Sequence, residues 1–162
     1  MTVRVMRNIV FFIIGLMIGM ISVLALAGEL PDPALTPGVS REVTLNELCT
    51  TSTKLVRNVP ESEKIAVYEE YGMSGNIRTV CKAGAEVDHL INLGIGGAND
   101  IHNLWPQSYC GPCNAHQKDH LENVLHARVC KGLMTLQDAQ YAITHDWRIA
   151  YQKYVDQKGC QQ

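Results

Sequence analysis

Residues 86–104 read Glu-Val-Asp-His-Leu-Ile-Asn-Leu-Gly-Ile-Gly-Gly-Ala-Asn-Asp-Ile-His-Asn-Leu. An adjacent acid and imidazole, Asp88 and His89, are followed across a Gly96-Gly97 turn by Asn103-Leu104, and then by Asn114-Ala-His116-Gln-Lys-Asp-His120. A carboxylate is a hard oxygen ligand suited to Mg²⁺ or Mn²⁺. An imidazole can take a proton from water near neutral pH without carrying a permanent charge. Acid, imidazole, amide and a further imidazole around one hairpin are a set that holds one divalent cation beside a general base, the chemistry that hydrolyses phosphodiesters.

The elements that must position these groups are partly legible. Val59-Pro60-Glu-Ser-Glu opens a helix through Lys64–Tyr71 that Gly72 stops, with Ile65, Tyr68 and Tyr71 on its core face. Residues 76–81 and 85–93 have strand character, and the run from Gly94 to Asp100 is rich in residues that tolerate turns. Asn114 is placed to cap a helix running to about Lys131, with Gly132 as its stop and Leu121, Val124, Leu125 and Val129 as its apolar stripe. His116 and His120 are four apart and share a helix face. A last helix starts at Thr135-Leu-Gln-Asp138 and packs through Ala139, Ile143, Trp147, Ala150 and Tyr154.

The ends and the charge set further bounds. Arg4 and Arg7 precede an apolar run from Ile9 to Ala27 that ends in Ala25-Leu26-Ala27, the pattern of an export signal over residues 1–27. Left uncleaved, residues 9–27 approach the ~20 needed for a membrane anchor. Either way the folded part is expected outside the cytoplasm, periplasmic or secreted. Residues 28–58 read as an extended linker or N-terminal arm, with three prolines between 28 and 40, and residues 59–162 as the functional domain. Without residues 1–27 the chain has 12 basic and 16 acidic residues, which argues against a protein that coats nucleic acid by bulk charge. Lys54, Arg57, Lys64, Arg78, Lys82, Lys118, Arg128 and Lys131 could still supply local phosphate contacts. Six cysteines, Cys49, Cys81, Cys110, Cys113, Cys130 and Cys160, all lie beyond the signal and point to disulfides. Six cysteines allow 15 pairings, among which a local Cys110–Cys113 bridge is the simplest.

The pattern Asp88-His89-x-x-x-Leu-x-x-Gly96-Gly97-x-Asn99-Asp100-x-x-Asn103-Leu104, with 14 positions from His89 to Asn103, resembles the core of the HNH (ββα-metal, His-Me finger) endonucleases. The match covers about residues 86–125. Asn103-Leu-Trp-Pro-Gln, Lys118-Asp119-x-x-Glu122 and the stretches around Cys130 and Trp147 are similar to a small exported subgroup. The resemblance implies an α+β fold: a ββα-metal core with flanking helices, here disulfide-containing. It implies a metal-dependent endonuclease acting on DNA, with RNA as an alternative, with little sequence specificity and leaving 5′-phosphate and 3′-hydroxyl ends. His89 would be the general base and Asn103 the residue that holds the hairpin. Asp88 would bind the metal with His116 as second ligand, and His120 as its alternative or a third. The cofactor would be one divalent cation, Mg²⁺ or Mn²⁺ ahead of Zn²⁺ or Ni²⁺. The chain departs from the family at Asn92, where Pro is common, and in the longer interval from Asn103 to His116.

Two rival chemistries use other residues. Cys110-Gly-Pro-Cys113 is the dithiol sequence of thiol-disulfide oxidoreductases. Only 49 residues follow Cys113, however, and none of them is a proline that could face the thiols. Cys110-x-x-Cys113-x-x-His116 also has the spacing of structural zinc ligands. A disulfide- or zinc-stabilised binding domain without catalysis is the third reading.

Overall fold

The computed structural model describes residues 30–73 and 83–160. The export signal, the strand expected over 76–81, and Arg78 and Lys82 lie outside these residues. The described chain is mixed helix and strand: α1 (Leu45–Thr50), α2 (Thr53–Val56), α3 (Glu61–Glu70), β1 (Ala85–His89), β2 (Leu104–Ser108), α4 (Ala115–Cys130) and α5 (Leu136–Tyr154). The strands form one antiparallel pair, with Asp88 opposite Trp105 and His89 opposite Leu104. The 14-residue connection between the strands carries two single-turn 3₁₀ segments, Leu93–Ile95 and Ile101–Asn103.

Local chemistry accounts for the two long helices. The Asn114 side chain accepts from His116 N, and Gln117 returns a bond to the Asn114 peptide, closing a capping box at the start of α4. Gly132, at φ +69°, ends that helix in a conformation glycine adopts without strain. Thr135 caps α5 by accepting from Asp138 N at 3.0 Å. Within α5, Asp146 leaves helical geometry (φ −164°, ψ 103°) and its carboxylate accepts from Arg148 N, recapping the helix after the kink.

Two apolar clusters flank the hairpin connection. Leu48, Ile91, Ile95, Leu121, Leu125, Val129, Ile143 and Trp147 join α1, the connection, α4 and α5. Val67, Tyr71, Leu90, Leu104 and Trp105 join α3 to the strands. On α3 the core position expected for Ile65 is taken by Val67; Ile65 is 51% exposed and Val67 fully buried. Tyr68 and Tyr71 are buried with it.

The segment read as an extended arm contains α1 and α2 and lies across the connection. Arg41 N donates to Gly96 O, Ala98 N to Val39 O and Gly38 N to His102 O. Thr36, 1% exposed, donates its hydroxyl to Leu104 O at 2.8 Å and receives that of Tyr71. Disulfides join Cys49 of α1 to Cys130 of α4, and Cys113 to Cys160 beyond α5. The local Cys110–Cys113 bridge therefore does not form; Cys110 is disulfide-bonded elsewhere. These bridges fit an oxidising environment. No helix among the described residues is long and apolar enough to cross a membrane.

Gly97 is where the connection is tightest. Its peptide N–H donates to Asn92 O, and a Cβ built on it would sit 1.7 Å from the Ile91 carbonyl oxygen. Backbone on both sides of the contact leaves nothing flexible to yield. Gly97→Ala is expected to destabilise the fold by about 3 kcal/mol or more, measured by urea unfolding. A cost below about 1 kcal/mol would contradict this packing.

Candidate active site

Asp88 and His89 end β1 and send their side chains to different neighbours, as alternate strand positions do. Asp88 faces α4. There Lys118, 0% exposed, places its ammonium 2.6 Å from Asp88 Oδ2, 2.7 Å from the His89 carbonyl oxygen, and in contact with Glu122 Oε1. Burial alone would lower the Lys118 pKa, but Asp88 and Glu122 raise it above the ordinary lysine value and keep it charged. Burial pushes Glu122 up to about 8, Lys118 opposing and Asp88 reinforcing the shift. Among the described residues Asp88 Oδ1 makes no hydrogen bond.

More acid surrounds this point. Glu86 is raised by burial and by Asp88, and is partly offset by a 2.7 Å bond from the Tyr109 hydroxyl. Asp119 is raised by desolvation, then by Asp88, while Lys118 and His116 pull it down. Asp88 and Glu122 thus contact one buried ammonium, and Glu86 and Asp119 lie within its electrostatic reach. The unused oxygen of Asp88 is the one placed to take a divalent cation.

His89 faces the arm. Its ring is 1% exposed, and Nε2 lies 3.1 Å from Asn99 Oδ1. The Asn99 amide is held from both ends: Nδ2 donates to Val56 O at 2.7 Å, and Oδ1 also accepts from Asn58 N at 3.2 Å. With the oxygen fixed toward the ring, Nε2 carries the proton and Nδ1 keeps its lone pair. Nδ1 is buried and has no hydrogen-bond partner among the described residues. Burial lowers the pKa of His89 below the ordinary value of 6.5, more than Asn99 and Asp88 raise it, so the ring is neutral at pH 7. A neutral imidazole with one nitrogen tied and the other open is equipped to accept a proton.

Asn103, fully buried, closes the connection with every position of its amide. Oδ1 accepts from Ile91 N and Val39 N; Nδ2 donates to Ile91 O and Ala98 O, at 2.8–3.3 Å. His116 and His120 are both exposed on α4. His116 lies against the Tyr109 ring at 5.2 Å, beside Asp119. His120 lies edge-on to Tyr151 of α5 at 6.3 Å. Asp88, His116 and His120 do not converge on one point. Asp119 joins His116 to Asp88 electrostatically, and His120 is not drawn toward them.

Sequence reasoning missed Lys118, Glu122, Asp119 and Asn99 as site residues. Lys118 and Glu122 carried a signal: they fall in phase with Leu121, Leu125 and Val129 on the buried stripe. A lysine there is buried and paired, which corrects its reading as a phosphate contact. The rival sites also change. Cys113 pairs with Cys160, so Cys110 and Cys113 are neither a dithiol couple nor zinc thiolates with His116. Among the described residues one group of three, Cys49, His126 and Cys130, has the closeness of a metal site, but its two sulfurs are bonded to each other; the carboxyls around Asp88 are not brought that close. Thiolates are the ligands metals take. No protein-family model, curated protein or solved structure matches this chain.

Three measurements test this geometry. Removing one member of a buried ion cluster strands the others, so Lys118→Met is expected to cost about 3–5 kcal/mol in urea unfolding. Glu122 keeps its proton up to about pH 8 in the fold and loses it near 4.5 when unfolded, so its contribution to stability falls as pH rises through that window. Glu122→Gln should flatten the decline, read as Tm against pH; an unchanged slope would contradict the burial. For His89, ¹⁵N spectra of the imidazole at pH 7 should show the Nε2–H tautomer, and Asn99→Ala should mix the tautomers. An Nδ1–H ring in the unsubstituted protein would contradict the assignment.

Proposed function

We propose that this protein is a metal-dependent endonuclease with an HNH-type ββα core, hydrolysing phosphodiesters of nucleic acid outside the cytoplasm. The observation that carries the reading is the unpartnered Nδ1 of neutral His89 one residue from Asp88. A buried acceptor without a donor costs about 1–3 kcal/mol, and such a cost is retained where the atom has work to do. The order β1, β2, α4, with α4 tied to β1 by Lys118, supports the same reading.

His89 takes a proton from a water at Nδ1 while Asn99 stabilises the imidazolium that forms, through the hydrogen bond at Nε2. Asn103 keeps the connection closed so that the ring holds its direction. Asp88 would hold the cation through Oδ1, with Asp119, which feels the charges of both Asp88 and His116, as a further donor; nothing draws His120 toward them. A divalent cation supplies charge neutralisation at the scissile phosphate and the leaving oxygen. Lys118 holds the Asp88 carboxylate in place through Oδ2, while Glu86, bonded by the Tyr109 hydroxyl, lies within its electrostatic reach.

Supercoiled plasmid in Mg²⁺ or Mn²⁺ tests the reading. The unsubstituted protein is expected to nick it, chelator to abolish nicking, and His89→Ala to slow it by about 10²–10⁴-fold with the fold intact. Full activity in His89→Ala would remove the base assignment. Absence of nicking by the unsubstituted protein in Mg²⁺, Mn²⁺, Zn²⁺ and Ni²⁺ would remove the nuclease.

A further inference from the structure

The arm reaches the reacting end of the hairpin at one place. The Val56 carbonyl accepts from Asn99 Nδ2, and the Asn58 N–H donates to Asn99 Oδ1, the same oxygen that holds His89 Nε2. The residue between them is Arg57, whose own N–H closes α2 on Thr53 O. Its backbone is thus clamped on both sides to the side chain that orients the His89 ring. Arg57 is exposed, and its guanidinium makes no hydrogen bond or ion pair among the described residues. Its charge acts on both His89 and Asp119, so both lie within its electrostatic reach.

Of the described basic residues other than Lys118, Arg57 alone is a charge felt by both His89 and Asp119; exposed Lys54 and Lys131 act on neither. Lys118 is buried, Lys64 pairs with Glu61 at 3.1 Å, and Arg128 stacks over Tyr154. A substrate carrying one negative charge per phosphate must approach four carboxyls. An unpaired guanidinium at the rim is the group that offsets them, and its planar fork binds two phosphate oxygens at once.

We infer that Arg57 is a substrate-binding residue whose guanidinium takes a backbone phosphate of the nucleic-acid strand beside His89, held there by the grip of Asn99 on the peptides either side of it. The arm of residues 53–58 is then a wall of the active site. This inference rests on the nuclease reading for its substrate, but its test does not need cleavage.

The test measures binding of a fluorescein-labelled 16-base-pair DNA duplex by anisotropy, in Mg²⁺ and across a salt series, with His89→Ala protein so that the duplex survives. Adding Arg57→Gln is expected to weaken binding about tenfold at low salt and to reduce the slope of log affinity against log salt by about one. Arg57→Lys should retain most of the affinity, and Lys64→Gln should bind as the parent does. Thermal unfolding of each variant separates loss of contact from loss of fold. Equal affinity and slope in Arg57→Gln, or no binding by the His89→Ala parent at the lowest salt, would overturn the role of Arg57. If the unsubstituted protein fails to nick plasmid while Arg57→Gln still lowers affinity and slope, the phosphate contact stands and the nuclease reading falls alone.

Discussion

The ammonium of Lys118 is the contact on which the site depends. It is fully buried, reaches from α4 into β1, and meets a carboxylate oxygen of Asp88, the carbonyl of His89 and a carboxyl oxygen of Glu122. Desolvating a lysine costs several kcal/mol unless every donor finds a partner, and here three donors meet three acceptors. Helix and strand are therefore held at one distance and one register. A slip of one residue in β1 would turn Asp88 away from α4 and leave the ammonium unpaired. The same contact fixes the Asp88 carboxylate with Oδ2 committed and Oδ1 open.

The hairpin then works from two sides. Its α4 side gathers acid, and its arm side holds an imidazole kept neutral by burial. Asn103 and the close approach at Gly97 make the connection stiff enough to serve both sides, since four amide bonds and a backbone contact with no room for a Cβ leave it one conformation. The disulfide from α1 to α4 and the bonds from residues 36–41 press the arm onto this connection. Through Val56 and Asn58 the arm also reaches Asn99 and, one bond further, the His89 ring, so the segment is packed into the hairpin and not a tether to it.

What the sequence discloses divides along contact distance. The capped ends of α4 and α5 were legible because Asn114 with Gln117, and Thr135 with Asp138, act within three residues of each other. The alternation of Asp88 and His89 and the turn residues around Gly96-Gly97 are local in the same way. Arm and site contacts join residues far apart in the chain: Asn99 to Val56 spans 43 positions, and Thr36 to Leu104 spans 68. Prolines at 31, 33 and 37 advertise an extended chain, and nothing nearby reveals that it lies against the hairpin. Ile65 was misplaced because α3 is only weakly amphipathic, so Val67 competes for the same core. His116 and His120 share a helix face, yet Lys118 and Glu122 hold the phase of the apolar stripe and take the place against β1, leaving both histidines exposed. The Cys113–Cys160 bridge could not be chosen from spacing at all.

The proposal with most at stake is that a divalent cation seats at Asp88, on the oxygen Lys118 leaves open. Paramagnetic broadening by substoichiometric Mn²⁺ in ¹H–¹⁵N spectra measures this directly. The account expects the signals of Asp88, Asp119 and His116 to vanish first, those of His120 later, and those around Cys49 and His126 to persist. Broadening centred on His126, or spread evenly over the acidic surface, would contradict it.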